Sequence, residues 1–338
     1  MSGLAVSSPG ESSRATARGL SFALATAVIV GFAAIARAGP VLDRVRSAGV
    51  VRCGAVSRPG LLAPSPDGAD AGLLVDICRA IGVAADGASV KTSVDVYDSD
   101  AAFDAVRQGR DDVFFLSGAE IVDQKLAGFL VPGPPVFHET TALMVAGDSK
   151  DERPADLAGR SICFLQGDVS HRQLEAYFAA RRLTFQRMGY QEEDELHDAF
   201  DARQCAAWAA EVTTLAQVRR EGGPTLRGGR ILSEPLANFP IIAATGASDG
   251  AWSALAFWTI ATLIDADRPY RDWAAGGLDS LPIAAAREAG WREAVLAATG
   301  SYQAMFRRNL GQGSPLDIPA GPNALPGDGG LLTPPYAE

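Results

Sequence analysis

The chain lacks the features on which several large protein classes depend. It has 30 Lys and Arg and 40 Asp and Glu, which gives a formal net charge of −10. No positive excess is therefore available to neutralise nucleic-acid phosphates. Its three histidines have no metal-site spacing, and neither a phosphate loop nor a Gly-x-Gly-x-x-Gly motif is present. No apolar run beyond residue 40 is long enough to span a bilayer. We therefore expect no nucleic-acid partner, no metal and no cofactor.

The first 38 residues carry the pattern of an export signal. Arg14 and Arg18 precede an apolar run over residues 20–35, and Ala-Arg-Ala at 36–38 fits the signal-peptidase pattern. A membrane anchor is the alternative, but the run is shorter than the roughly 20 residues that a spanning helix needs. We therefore expect residues 1–38 to be a signal peptide and the mature chain to begin at Gly39, soluble in the periplasm.

Cysteine is scarce, with four in 338 residues: Cys53, Cys78, Cys163 and Cys205. In a cytosolic protein such thiols stay reduced and indicate metal ligands or catalysts, whereas in an exported protein they indicate cross-links. Four cysteines allow three pairings, and their number alone does not choose among them.

Strand and helix patterns alternate along the chain. The first unit has predicted strands over 50–56, 90–97 and 112–116, with helices over 73–83 and 99–109, an order that implies a parallel sheet. The pattern then restarts, with strands over 140–146, 161–165, 183–188, 206–210 and 240–245 and helices over 170–180, 192–200, 213–220, 252–264 and 291–310. Two open α/β units predict a ligand crevice at the carboxyl ends of their strands.

Several segments resemble, in order and spacing, the periplasmic polar amino-acid binding proteins of ABC importers. The general L-amino-acid receptors are the most similar subgroup. The segments are VRCG at 51–54, VDICRA at 75–80, CFLQG at 163–167, Cys205, GSY at 300–302, FRRNLG at 306–311, GSPL at 313–316, NAL at 323–325 and GGLL at 329–332.

This resemblance implies the type 2 periplasmic-binding-protein fold: an α/β protein with two lobes, each a mostly parallel sheet flanked by helices, and a two-strand hinge. Residues 39–140 and 241–338 would form lobe 1 with a C-terminal wrap, and residues 141–240 would form lobe 2. One disulfide is expected within each lobe, Cys53–Cys78 and Cys163–Cys205. The implied function is that of a monomeric receptor, which closes on a small polar solute by hinge motion and docks on the ABC permease of the inner membrane.

The resemblance also identifies the positions of the ligand site. The arginine that grips a ligand carboxylate is expected after Ser117, where this chain has Gly118, and the stacking aromatic is expected where it has Leu61. The carboxylate loop of lobe 2 contains Asp168, and the acid that binds the ligand ammonium corresponds to Glu211. The expected ligand-binding residues are Ser57, Leu61, Ser117, Gly118, Asp168, Val169, Ser170 and Glu211.

The cation-binding half of this site is thus kept, while the anion-binding half is lost or reversed in charge. One hypothesis is a receptor for an amine or another cation without a free α-carboxylate, held by Glu211 with Asp168 as a second acid. A diverged receptor with a remodelled pocket is the alternative hypothesis, and a sensing receptor or a dehydratase-like enzyme on the same fold stays open. GASDG at 246–250 matches the nucleophile-elbow pattern, but all three histidines precede it, so we expect a helix cap there and no catalytic residues.

Overall fold

The computed structural model describes residues 39–64, 70–268, 286 and 290–333. The signal peptide that we predict over residues 1–38 lies outside the described residues. Among those that are described, no helix has both the length and the apolar character to cross a membrane.

Strands and helices alternate over most of the described chain. The strands are β1 (Val50–Val56), β2 (Ala63–Pro64), β3 (Asp70–Ala71), β4 (Lys91–Tyr97), β5 (Val113–Ser117), β6 (Leu130–Val145), β7 (Ser161–Leu165), β8 (Gln186–Tyr190), β9 (Ala207–Glu211), β10 (Arg230–Ile231) and β11 (Ala237–Gly246). The helices are α1 (Pro40–Ala48), α2 (Leu73–Asp86), α3 (Ser99–Gln108), α4 (Gly118–Asp123), α5 (Val169–Ala180), α6 (Glu193–Asp201), α7 (Val212–Glu221), α8 (Pro224–Arg227), α9 (Gly250–Asp265), α10 (Trp291–Thr299) and α11 (Tyr302–Asn309).

One mixed sheet runs through the protein in the order β4-β1-β5-β11-β6-β9-β7-β8, with β10 also paired to β6. Strand β1 is parallel to β4 and β5, and β7 is parallel to β8 and β9. The long strands β6 and β11 are antiparallel to each other and to their other neighbours, so they connect the two parallel halves. We call the half with β1, β4 and β5 the first lobe and the half with β7, β8 and β9 the second lobe. The predicted two-lobed α/β fold with a two-strand hinge is confirmed.

Each lobe contains one of the two disulfides. Cys53 on β1 is linked to Cys78 on α2, with their Cα atoms 6.3 Å apart, and Cys163 on β7 is linked to Cys205 before β9, at 5.7 Å. Both pairings are those implied by the family resemblance. Loops of 25 and 42 residues stabilise by about 3–4 kcal/mol each in the chain-entropy model. Neither link joins the two lobes, so neither restrains motion at the hinge.

Strand β6 begins at Leu130, ten residues before the strand start that we predict at residue 140. Gly133 and the prolines at positions 132, 134 and 135 account for the difference, because proline within a sequence argues against a regular strand. Here the proline-rich half pairs with β11, and the register shifts on either side of Ile242 mark irregular pairing that accommodates it.

The prediction of a single helix over residues 291–310 is wrong, because two helices cover this segment. Gly300 has a φ of 81° and follows the end of α10, a left-handed conformation that glycine adopts without steric cost. Ser301 then caps α11, its hydroxyl accepting a hydrogen bond from the Ala304 N–H at 3.3 Å. A glycine followed by a capping serine ends one helix and starts the next.

Asp249 joins the start of the described chain to α9. One carboxylate oxygen accepts the Trp252 N–H at 2.9 Å and caps α9, as we predict for the GASDG segment. The other oxygen accepts the N–H groups of Val41 and Leu42 at 3.0 and 3.2 Å, at the start of α1. Asp249 is 2% exposed, so its carboxylate depends on these three N–H groups in place of water.

We expect Asp249→Ala to lower the free energy of unfolding by about 2 kcal/mol, because it leaves the first turns of two helices without their acceptor. Denaturant titration of the mature protein measures this loss. Asp249→Asn retains one carbonyl oxygen and serves as the control, with a smaller loss of about 1 kcal/mol. Equal stability of the alanine variant and the wild type would contradict this account of how α1 is attached.

Candidate functional site

Charged side chains meet where the two lobes face each other. Arg58 lies two residues beyond β1 and Glu120 three residues beyond β5, both in the first lobe. In the second lobe Glu211 is the last residue of β9, and Asp168 lies three residues beyond β7. All four lie at or just beyond the carboxyl ends of parallel strands, where open α/β sheets bind their ligands. Glu139 lies on the connecting strand β6. We call Arg58, Glu120, Glu139 and Glu211 the hinge cluster.

The guanidinium of Arg58 lies between carboxylates of the two lobes. Its Nη2 donates a hydrogen bond to Glu120 Oε1 at 3.4 Å, within the first lobe. Its Nε lies 3.6 Å from Glu211 Oε2, across the lobes. Burial alone would lower the pKa of Arg58, but the charges of the cluster's three glutamates outweigh this effect and raise it. The guanidinium therefore remains a fixed positive charge.

Glu139 is the most deeply buried member of the hinge cluster, with 0% exposure. Its Oε2 accepts the Thr213 hydroxyl at 2.7 Å, and its Oε1 accepts the Thr140 N–H at 3.0 Å. Burial, followed by repulsion from Glu211, raises the pKa of Glu139 to about 8, although Thr213 and Arg58 act in the opposite direction. At neutral pH this carboxyl group is mainly protonated.

Glu211 is also unusually basic for a carboxylate. Burial is the largest cause of its raised pKa, and the negative charges of Asp168 and Glu120 add to it, while Arg58 opposes the change. The side chain of Glu211 is 17% exposed and that of Arg58 11%, so their interaction is only partly screened by water. Glu211 is thus a partly desolvated acid that already pairs with a cation.

Ser117 and Glu120 form a capping box at the start of α4. The Ser117 hydroxyl accepts the Glu120 N–H at 3.1 Å, and Glu120 Oε2 accepts the Ser117 N–H at 2.7 Å. Gly118, where the resemblance places an arginine, is the first residue of this helix, and no atom lies within 4 Å of an ideal Cβ there. The site therefore holds an arginine from a different strand end, Arg58, beside an open position at 118.

In the second lobe, the loop that the resemblance assigns to the ligand carboxylate contains an acid, Asp168, which hydrogen-bonds to the start of α5. Asp168 is the N-cap of α5, and its Oδ1 accepts the Val169 N–H at 2.6 Å. The Ser170 hydroxyl donates to Asp168 Oδ2. This helix start could otherwise hold an anion, and here the side chain of Asp168 takes that place.

The remaining expected site residues lie near the start of the loop after β1. Ser57 is exposed, and its hydroxyl donates to the Leu62 carbonyl at 3.4 Å. Leu61 has 0% exposure and belongs to the main hydrophobic core of the first lobe. The structure therefore brings Ser117, Asp168 and Glu211 to the hinge cluster, and it places the Leu61 side chain in the core.

Arg58, Glu120 and Glu139 are not among the ligand-binding residues expected from the sequence. Glu120 has a usable signal, because Ser-x-x-Glu after a strand is the pattern of a capping box. Arg58 is a charged residue just beyond an apolar strand, a position that lines the crevice of an α/β sheet. Glu139 lies between His138 and Thr140, just before the predicted strand over 140–146, so the local sequence gives no signal of its burial.

Two cavities lie outside the hinge cluster. One of about 200 Å³ lies between β6 and α9 and is lined mainly by apolar groups, including Phe257 and Ile260. The other, of about 420 Å³, lies on the first lobe beside Asp76, Arg79 and Arg308. In the part of the chain that the structure describes, no group of three or more His, Cys, Asp or Glu side chains is placed to hold a metal ion. Our expectation that the protein has no metal or cofactor stays a prediction.

Comparison with known proteins supports the resemblance over nearly the whole chain. The general L-amino acid-binding periplasmic protein AapJ of Rhizobium johnstonii is 27% identical over 334 residues, which cover 92% of this chain and 96% of AapJ. The glutamate/glutamine/aspartate/asparagine-binding protein BztA of Rhodobacter capsulatus is 23% identical over 93% of this chain and 97% of BztA. No family model matches the sequence.

Solved structures show the same fold. A periplasmic binding protein of an ABC transporter from Brucella ovis, solved with glutathione bound, superposes with a TM-score of 0.69 at 23% identity, over 87% of this chain and 98% of that one. An ancestral cationic amino acid solute-binding protein superposes with a TM-score of 0.53 at 13% identity, over 79% and 98%. The curated relatives of this chain are thus amino-acid-binding proteins, and the chain itself has the fold of the type 2 periplasmic binding proteins.

Proposed function

We propose that this protein is a periplasmic receptor that binds a small polar solute, an amino acid or an amine-like compound, and delivers it to the permease of an ABC importer in the inner membrane. The observation that carries the proposal is the meeting of charged strand ends from both lobes at the hinge cluster. The homologues with amino-acid-binding and periplasmic names support the same function. Secretion by a signal peptide over residues 1–38 and a monomeric state are parts of the proposal.

Binding is proposed to work by hinge motion about β6 and β11. Strand β6 pairs with β9 of the second lobe through residues 141–145, β11 pairs with β5 of the first lobe through residues 241–244, and β6 and β11 pair with each other. These contacts support lobe boundaries near residues 140 and 240, with 39–140 and 241–338 in the first lobe. A ligand that contacts both lobes favours the closed arrangement by its extra contacts there.

Glu211 is proposed to bind the positive group of the solute. It already pairs with the guanidinium of Arg58 and is only 17% exposed, so a ligand cation finds a partly desolvated acid there. Of the proposed ligand-binding residues, Ser117, Asp168, Val169 and Ser170 line the strand ends on either side. The proposal includes no catalytic step, and nothing in the described residues favours a dehydratase or a sensing receptor over transport.

A thermal-shift screen of the mature protein tests this function. Amines, L-amino acids and glutathione are the probes, and a ligand at a hundred times its Kd stabilises the folded state by about 2.7 kcal/mol. We expect at least one probe to raise the melting temperature, and Glu211→Gln to weaken its binding by about a hundredfold, since a charge-assisted contact is lost.

Glu175→Gln is the matched control for that substitution. Glu175 is also an acid of the second lobe that pairs with an arginine, Arg187, but it lies on α5 with its side chain 31% exposed. We expect Glu175→Gln to bind the same probes as tightly as the wild type does. A screen in which no probe shifts the melting temperature, or in which both variants bind as the wild type does, would refute the proposed function.

A further inference from the structure

Arg58 has two carboxylate partners that respond differently to hinge motion. Glu120 lies in the same lobe, so its hydrogen bond to Arg58 Nη2 at 3.4 Å does not depend on closure. Glu211 lies in the other lobe, so its contact with Arg58 Nε at 3.6 Å must break when the lobes separate. Opening therefore leaves Arg58 paired and Glu211 without its cation.

Glu120 is itself held in place. Its Oε2 accepts the Ser117 N–H at 2.7 Å within the capping box, which directs Oε1 toward Arg58. Its side chain is 19% exposed and that of Arg58 11%, so the pair is largely shielded from water. Because the backbone fixes this carboxylate, the guanidinium has a permanent anionic partner in its own lobe.

In the second lobe an acid, Asp168, occupies the helix start that could otherwise hold a ligand anion. Asp168 occupies the start of α5, where its carboxylate accepts from Val169 N–H and from the Ser170 hydroxyl. Its charge also contributes to the raised pKa of Glu211, so the two acids interact. A carboxylate brought to this face would meet the two acids Asp168 and Glu211.

We propose that Glu120 determines the class of ligand. By neutralising much of the charge of Arg58 within the first lobe, Glu120 weakens the attraction of the guanidinium for a ligand carboxylate, and it leaves Glu211 to an incoming cation when the lobes open. The receptor therefore selects amines and other organic cations that have no free carboxylate. This inference rests on the proposed function, since it assigns the selectivity of the same site.

Matched pairs that differ only by a carboxylate test the selectivity. Isothermal titration of the mature protein uses arginine with agmatine, lysine with cadaverine, histidine with histamine, and tyrosine with tyramine. We expect the wild type to bind the decarboxylated member at least about tenfold more tightly in each pair that binds. In Glu120→Gln the guanidinium becomes available to the carboxylate, and we expect this preference to fall by about tenfold or more, the equivalent of about 1.4 kcal/mol.

Asp123→Asn is the matched control, because it removes one negative charge from an exposed position on the same helix. We expect it to retain the wild-type preference. Arg58→Gln provides a second measurement that does not require Glu120→Gln to fold. If Glu120 already sequesters the guanidinium, this variant keeps the preference for the amines, whereas loss of amino-acid affinity alone would show that Arg58 binds the carboxylate.

The ligand preference tests the role of Glu120, whereas binding itself tests the receptor function. If the wild type prefers the amino acids or glutathione, or if Glu120→Gln leaves the preference unchanged, the selectivity role of Glu120 is overturned. Dependence of the same binding on Glu211 would still support the receptor function. If none of these probes binds at all, both proposals fall together.

Discussion

Arg58→Met is expected to cost about 3 kcal/mol of folding free energy at pH 8, the range found when one partner of a buried ion pair is removed. The substitution keeps a long apolar side chain but leaves the three carboxylates of the hinge cluster without their cation. Glu139 avoids this cost by staying protonated, because its pKa of about 8 rises further without Arg58, so the loss comes from the charges of Glu120 and Glu211. Denaturant unfolding of the mature protein measures the loss.

The loss is expected to shrink as the pH falls toward 5. Arg58 lowers the pKa of both Glu139 and Glu211, so its removal raises both values further. Protonation then removes the uncompensated charges at a higher pH than in the wild type. We also expect a larger radius of gyration for the variant at pH 8 by small-angle scattering, because like charges now face each other across the lobes.

Arg187→Met is the control for the loss of an arginine ion pair. Arg187 Nε lies 2.6 Å from Glu175 Oε1, but its side chain is 63% exposed, so we expect a cost below about 1 kcal/mol. Adding Glu211→Gln to Arg58→Met should recover part of the stability, and the double-mutant cycle gives the coupling of that pair. Equal costs for the two arginine variants would show that the cluster is not energetically coupled.

The sequence predicts the lobes of this protein better than it predicts their meeting point. β1 over 50–56 and β7 over 161–165 have the expected bounds, because each is a short buried apolar run with clear ends. The two disulfides follow from the resemblance, and both are confirmed. Local hydrophobic patterns are enough to predict these two strands, and the family resemblance is enough to predict the two disulfides.

The hinge is harder to predict because it depends on contacts between distant segments. Prolines in the first half of β6 conceal a strand that only its pairing with β11 reveals. Arg58 and Glu211 are 153 positions apart in the numbering, and only the order of strands in the sheet brings them together. The arginine of this site therefore lies beyond β1, at Arg58, and not after β5 at position 118.

For Glu211 as well, the sequence predicts part of the site and the tertiary structure supplies the rest. The sequence and the resemblance indicate it as the acid for a ligand cation, and the structure places it against a guanidinium at the crevice. What the sequence could not supply is the neighbourhood that sets its chemistry, namely Glu139 from β6 and Asp168 from the loop after β7. Its binding role stays a prediction that the solute screen tests.

Glu139→Gln is expected to abolish a component of the pH dependence of stability. In the unfolded chain Glu139 has an ordinary pKa near 4.5, whereas in the folded protein burial raises this pKa to about 8. Between these values the folded state binds a proton that the unfolded state has released, so the stability falls as the pH rises from about 5 to 8. The contribution of this one group is on the order of a few kcal/mol.

The difference in unfolding free energy between the wild type and Glu139→Gln separates the contribution of Glu139 from those of other titrating groups. Glu211 and Asp111 also have raised pKa values, of about 6 for Asp111, and they act in the same direction in both proteins. Burial lowers the pKa of the adjacent His138, which is likewise present in both. The difference in unfolding free energy between wild type and variant should therefore favour the variant increasingly from pH 5 to pH 8.

Infrared difference spectroscopy provides a direct check on the protonation state. At pH 7 we expect the wild type to show a carbonyl band of a protonated carboxylic acid that is missing in Glu139→Gln. Thr213→Val removes the hydroxyl that favours the ionised form, so the band should persist to higher pH in that variant. Parallel stability curves for wild type and Glu139→Gln would mean that Glu139 is ionised in the fold. The hinge would then carry a further negative charge at neutral pH, and Arg58 would have to compensate it.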